Sequence, residues 1–522
     1  MFRSGPLSIP PRRHRVVAAA VAVLGIAVSV GGATASTPPD GDETASDLVA
    51  AVAPVPAETD PDASVVVGFV LEPTNLDIIH QDGAALDQVL LDNVYETILE
   101  VGPDGEAVPG VASLERSDDG LTYTLTVRDG VTFHDGSPLT AADIAWSLTE
   151  TKEAGNAADS LSSVDTIEAT DDATVVLTLT EPDFDLAWNL SRRAGAVVQA
   201  EATDLENAAN GTGPFVLAEW RQGDSITLER FDGYWGEPAG SAEVVFQYIE
   251  DANARVAALR DGDIDILARL ETDLLGEFED TDEWVVHSAP TTGEYTLGMN
   301  NEHEALSDPL VRQAITQAID KEAVLELFSG YGTIVGAPVP PTDPWYEDLT
   351  DLYPYDPDEA RAKLAEAGYG DGLDLTFVVP SVYPQAHADY VVAQLGDIGI
   401  NVELQSVEFP TWLEQVYQNY DYDLTLVLHV EPRDIDNYAR TDYYWRYDSA
   451  EVQGLLAEAR NATDATAYNE LLAAAARQIA VDAPTVILLV WDDVIIARPG
   501  VGGYPISGIG TRFDASTTVV EA

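Results

Sequence analysis

The stretch DGLTYTLTVRDGVTFHDGSPLTAADIAWSL, residues 119–148, decides how the chain is read. Within it, LTYTLTVR (121–128) alternates. Leu121, Tyr123, Leu125 and Val127 fall on one face, and Thr122, Thr124 and Thr126 on the other. A period of two places a strand here with one face buried. Asp129-Gly130 and Asp135-Gly136 are turn dipeptides. Thr140, with Asp143 three residues on, is an N-terminal capping arrangement with Asp in place of the usual Glu, so a helix begins at 141. The stretch also sets His134 beside Asp135, a pair that invites a catalytic reading. The turns and the cap give each of these polar residues a structural task, and catalysis at His134 is not expected.

Outward from this stretch, strands and helices interleave. TIEATDDATVVLTLTEP (166–182) predicts a hairpin turning at Asp171-Asp172. In SDPLVRQAITQAI (307–319), Asp308 caps a helix and Pro309 opens it; Leu310, Val311, Ala314, Ile315, Ala318 and Ile319 form its apolar stripe. DPDEARAKLAEAGYG (356–370) repeats that grammar, with Asp356 as cap and Gly368 as stop. A helix near 385–397 leads into the strand INVELQSV (400–407). No repeat of fixed period is present. The fold class is α/β or mixed α+β.

The charge balance excludes whole function classes. Against 25 Lys+Arg stand 91 Asp+Glu, a formal net charge of -66. Such a surface repels phosphate backbones and anionic lipid, so no nucleic-acid partner is expected. The acids are spread along the chain and read as a solvated shell.

The N-terminus reads as an export signal. Arg3, Arg12, Arg13 and Arg15 precede a short apolar run at 16–30, and Ala33-Thr34-Ala35 offers a cleavage site. Residues 1–35 are therefore assigned as a signal peptide and 36–63, rich in Pro, Ala, Asp and Thr, as a disordered linker. The chain has no Cys, so neither a disulfide nor a lipid anchor through cysteine is expected. No other apolar run approaches the roughly 20 residues of a spanning helix. The expectation is a chain that is exported to the periplasm, cell envelope or medium and is not membrane-inserted when mature.

Nucleotide and nucleophile chemistry is absent from the sequence. There is no G-x-x-x-x-G-K-[ST] loop, G-x-S-x-G elbow, H-E-x-x-H or C-x-x-C. DGDID (261–265) clusters three aspartates but lacks the remainder of a calcium loop, and reads as a turn. YDYD (420–423) leads into an apolar strand. No enzyme activity, cofactor or metal is expected.

Residues 119–148 resemble the signature segment of the peptide/nickel-type extracytoplasmic solute-binding proteins of ABC transporters. The resemblance extends, in order, through LDNVYETILEV (91–101), GTGPFVLAEWRQGDSITLERFDGYW (211–235), DANARVAALRDGDIDI (251–266) and LGMNNEHEALSDPLVRQAITQAIDKEAVL (297–325). It implies a two-lobed periplasmic-binding-protein-like fold with an extra domain inserted in the first lobe. The implied division is 64–95 with 212–298 and 496–522 as lobe I, 96–211 as the inserted small domain, and 299–495 as lobe II. The resemblance further implies a monomer that captures an oligopeptide or other small solute between its lobes. The solute passes to an ABC permease served by separate ATPase subunits. Two alternatives stay open: a secreted hydrolase, and a solute sensor or surface protein on the same fold.

In peptide-binding members of this family, an aspartate in a D-x-x-D-P-D-N stretch pairs with the peptide amine. The matching stretch here is EPRDIDN (431–437), which puts Glu431 at that position and Ile435 where the family often has Pro. Dipeptide-binding members carry an arginine for the peptide carboxylate near 378–386. Here VVPSVYPQA has none, which favours a longer peptide or an uncharged solute. Family position also nominates Glu72 and Thr74 after the first strand, Asn300 at the lobe crossing, Trp412, Asp434, Asn437 and Tyr438. Aromatic residues at such positions are suited to stacking on a solute.

Overall fold

Two long strands, Val285–Met299 and Thr485–Ala497, form the spine of the molecule. They pair antiparallel from Val285↔Ala497 to Gly298↔Thr485, with a register shift between Pro290 and Glu294. Such a shift bends the strand that carries the extra residues. On one side follow Leu424–His429, Leu373–Pro380 and Ile400–Val407; on the other Ile266–Leu267, Ser64–Phe69, Glu243–Tyr248, Ser225–Arg230 and Phe215–Arg221. With the short strand Gly332–Thr333, which pairs with Thr485–Ala497 off this path, the result is one 11-stranded mixed sheet shared by two lobes.

A computed structural model describes residues 51–81, 83–102, 105–278, 283–507 and 511–522 of the chain. The expected signal peptide and leader residues 36–50 lie outside the described residues.

Each half of the sheet has its own core. Val65, Val67, Phe69, Phe246 and Phe513 are buried together in the first lobe. Tyr295, Leu297, Val311, Ile315, Phe377 and Leu426 are buried together in the second. A separate antiparallel sheet of four strands, Ala112–Arg116, Thr122–Val127, Thr174–Leu179 and Val164–Ala169, carries a third core around Tyr123, Leu125, Ile144 and Leu177. This inserted unit rests against the second lobe.

The local signals correspond to local structure. The alternating stretch is the strand Thr122–Val127, with Tyr123, Leu125 and Val127 inward. The helix Ala141–Ala154 opens on the Thr140–Asp143 capping box. Asp308 and Asp356 cap Pro309–Ala318 and Pro357–Glu366. Gly262, in the DGDID turn, adopts φ 82 and ends the helix Ala252–Asp261. The strand after that turn covers only Ile266–Leu267, and Arg269 just beyond it is left-handed at φ 61.

One expectation is corrected. Residues 51–63, read as part of a disordered linker, pack along the C-terminal segment. Ala53 N donates to Tyr504 O at 2.8 Å, Asp60 N donates to Val520 O at 2.9 Å, and Ala53 is buried. Gly502 makes this approach possible: a Cβ there would lie 2.2 Å from Pro54 O. The Pro-rich composition had no local period to reveal a partner so far along the chain.

Candidate functional site

The site begins where the strand Leu424–His429 leaves the sheet. Glu431 follows, exposed. Arg433 then takes a left-handed conformation, φ 58 and ψ 40, and the 3-10 helix Asp434–Ala439 begins. In a 3-10 helix, residues three apart share a face. Asp434 and Asn437 therefore point one way, while Ile435 and Tyr438 lie buried.

A small recess, partly open to solvent, forms beside this turn. Glu431, Asp434, Asn437 and His429 supply its polar wall, and Trp412, Tyr417, Tyr443 and Tyr444 its aromatic wall. Tyr417 comes from a π-helical stretch, Leu413–Gln418, that continues the short helix Phe409–Trp412. His429 fixes the geometry: its Nδ1 lies 3.0 Å from Asp434 Oδ2 and its Nε2 2.8 Å from the Tyr444 hydroxyl. The imidazole also stacks on the Tyr444 ring at 5.9 Å between centroids.

Further buried carboxyls adjoin the recess. Burial, with Asp434 and Asp343 nearby, holds the Glu294 carboxyl well above the usual range. Burial also pushes Asp343 up to about 7, opposed by the Arg433 guanidinium and reinforced by Asp434. The same desolvation raises the Tyr443 and Tyr444 phenols, which therefore stay neutral donors. An environment of carboxylates and ring faces attracts an ammonium group by charge and by cation–π contact.

The residues nominated from sequence do not all meet. Glu431, Asp434, Asn437 and Trp412 come together at the recess. Trp412 is its floor rather than an open platform: it is buried, stacks on Phe409, and its Nε1 donates to Thr425 Oγ1 at 2.8 Å. Tyr438 lies beneath, stacked on Trp445 at 4.4 Å with its hydroxyl 2.7 Å from Thr485 Oγ1. Asn300 ties backbone instead, donating from Nδ2 to Tyr420 O and Tyr422 O. Glu72 joins the loop after the first strand to a neighbouring hairpin, accepting from Trp220 Nε1 at 2.8 Å and from Gly223 N. Thr74 is exposed in that same loop.

His429, Tyr417, Tyr443 and Tyr444 were not nominated from sequence. The run DYYWRY (442–447) was the available signal, since so many adjacent aromatic residues exceed what one strand face buries. His134 is remote from this site. Its Nε2 donates to Gly213 O at 3.0 Å, its Nδ1 accepts from Gly211 N, and its ring packs edge-on against Phe231. Those contacts fix an internal joint between the inserted unit and the first lobe.

The sequence profile of the bacterial extracellular solute-binding proteins, family 5 middle region, matches residues 106–450. The chain belongs to this family. Among curated family 5 relatives, the glutathione-binding protein GsiB of Pectobacterium atrosepticum is 29% identical over 378 residues, covering 70% of this chain and 73% of its own. The oligopeptide-binding protein AppA of Bacillus subtilis is 28% identical over 484 residues, covering 84% of this chain and 88% of its own. Among solved structures, the periplasmic binding protein DppA of Helicobacter pylori, in complex with the peptide STSA, superposes with a TM-score of 0.71 at 24% identity. That match covers 89% of this chain and 99% of DppA. The fold is thus the two-lobed one of periplasmic binding proteins. Among the described residues, no helix is long and apolar enough to cross a membrane.

Proposed function

We propose that this family 5 protein is the solute receptor of an ABC importer and takes oligopeptides or a similar medium-sized solute between its lobes. Glu431 receives the ammonium end of the solute, Asp434 and Asn437 orient it, and the Tyr417, Tyr443 and Tyr444 rings flank it. The observation that carries this reading is the recess itself. An exposed carboxylate stands beside aromatic walls, at the position where peptide-binding relatives place an amine-pairing acid. The residues that line the recess all fall in the proposed lobe II, 299–495; in this reading lobe I (64–95 with 212–298 and 496–522) and the inserted domain 96–211 close over the solute. The protein acts outside the cytoplasm as a monomer, performs no reaction of its own, and hands its solute to a separate permease and ATPases.

Thermal denaturation with solute panels tests this. A ligand that binds only the native state raises Tm by mass action. Peptides with a free amino terminus are expected to raise Tm, and their N-acetylated counterparts to do so much less. If no peptide shifts Tm while an oligosaccharide does, the peptide reading is overturned.

A further inference from the structure

Arg433 sits between two carboxylates assigned to the solute, two residues after Glu431 and one before Asp434, yet its side chain turns away from the recess. Its guanidinium carbon lies 3.5 Å from the ring centroid of Trp188 and 4.6 Å from that of Trp345. Its Nη2 donates to Gly105 O at 2.6 Å, and its Nε is 3.8 Å from Asp343 Oδ1. The side chain is only 7% exposed. Trp345 and Asp343 belong to the second lobe. Trp188, on the helix Asp185–Leu190, and Gly105, between the strands Leu99–Val101 and Ala107–Pro109, belong to the inserted unit. One guanidinium therefore spans the contact between them.

We infer that Arg433 is a positioning residue: by clasping the inserted unit through Trp188 and Gly105, it holds the two bodies together without solute and presets Glu431 and Asp434. This inference rests on the proposed solute role of those carboxylates, but its test does not need a solute.

Three physical points support it. The left-handed backbone at Arg433 is unfavourable for an L-residue and persists only where surroundings enforce it. The stacked guanidinium and its bond to Gly105 O supply that enforcement, and releasing them frees the turn that aims both carboxylates. Second, a planar guanidinium matches this slot in a way an ammonium does not, because it stacks on ring faces while donating in its own plane. Third, the neighbouring contacts between the two bodies are few and mixed: Phe184 packs on Tyr468 at 4.8 Å between ring centroids, and the rest are polar. Phe184 N donates to Arg460 O at 2.9 Å, Tyr468 donates to Asp185, and Asn469 Nδ2 donates to Glu106 Oε1 at 2.8 Å. Against so few contacts, a desolvated cation clasp has leverage over the boundary.

The chain has no Cys, so spin labels can be placed at will. Labels at Asp171→Cys in the inserted unit and Glu366→Cys in the second lobe, both exposed, report the distance between the two bodies by pulsed electron resonance. In the solute-free protein a short-distance population is expected. Arg433→Ala is expected to lower the closed-to-open ratio by about tenfold, and Trp188→Leu, which leaves the bond to Gly105 O, by less. The double variant is expected to fall no further than Arg433→Ala alone, since that change already removes the contact with Trp188. Arg433→Lys, with the charge but not the plane, should recover only part of the ratio. Arg477→Ala, at an exposed pair with Glu347, serves as the control and should leave the ratio unchanged. Thermal unfolding establishes that each variant is folded. The inference is overturned if the wild type has no closed population, if Arg433→Ala leaves the ratio unchanged, or if the two variants act independently. Failure of peptides to bind would overturn the proposed function alone.

Discussion

His429 and Asp434 meet through Nδ1 and Oδ2 at 3.0 Å, and the far side of the same imidazole meets the Tyr444 hydroxyl at 2.8 Å. With the ring proton on Nδ1, the imidazole satisfies both partners at once: Nδ1–H donates to the carboxylate and Nε2 accepts from the phenol. Tyr444→Phe removes the donor and leaves a desolvated nitrogen, at a cost of about 1–3 kcal/mol. Urea unfolding of the variant is expected to show that loss of stability. An unchanged midpoint and slope would mean that water replaces the hydroxyl.

Glu431 is exposed at the recess, so its substitution should act on binding rather than on folding. Glu431→Gln keeps the shape and removes the charge. Calorimetry with an amino-terminated peptide that binds the wild type is expected to show weakening by at least about 1.5 kcal/mol, the worth of a charge-assisted hydrogen bond. Equal affinities would remove Glu431 from the site.

Several buried carboxyls make stability depend on pH in an uncommon direction. Burial pushes Glu96 up to about 7, although Tyr234 and Trp235 donate to it and favour its charged form. Asp343 also rises to about 7, and Glu294 rises with it. A carboxyl with a raised folded-state pKa binds its proton more tightly in the native state than in the unfolded chain. Its stabilising contribution is complete below the unfolded value, about 4, and is lost as pH rises through about 7. Tm is therefore expected to be higher at pH 5.5 than at pH 8. Glu96→Gln, which retains an acceptor for Tyr234 or Trp235 but does not titrate, should flatten that slope when scanning calorimetry is repeated across the range.

The His134 joint is structural, and its removal should separate stability from binding. His134→Ala strips a partner from both Gly213 O and Gly211 N, at a cost of about 1–3 kcal/mol each if they remain dry. Gly211→Ala should be more damaging, since its Cβ would fall 1.8 Å from Val94 O. Chemical denaturation measures both losses. Peptide affinity of folded His134→Ala is expected to match the wild type, and a large loss of affinity would return His134 to the functional site.

What the sequence made legible was local. Helix Pro309–Ala318 announced itself by its capping Asp308 and apolar stripe, and strand Ile400–Val407 by its composition and flanks. Glu431, Asp434 and Asn437, which line one recess, were nominated through a family resemblance. Of the aromatic wall only Trp412 was nominated; Tyr417, Tyr443 and Tyr444 were missed because the wall is assembled from separate places that meet only when strand Leu424–His429 sits between them. Arg433 was missed for another reason. Nothing local predicts left-handed backbone at an arginine, and its partner Trp188 lies in a different folding unit. Residues 51–63 were misread because the group that binds Ala51 N, the Ser507 hydroxyl, is 456 residues away.

The central claim is that the lobes enclose a peptide-like solute at Glu431. Native mass spectrometry of the protein purified from its own cells, followed by release of bound material on unfolding, tests it most directly. The account predicts a peptide-sized adduct on the wild type that is strongly reduced on Glu431→Gln. An adduct that is not a peptide, or one retained in full by Glu431→Gln, would contradict it.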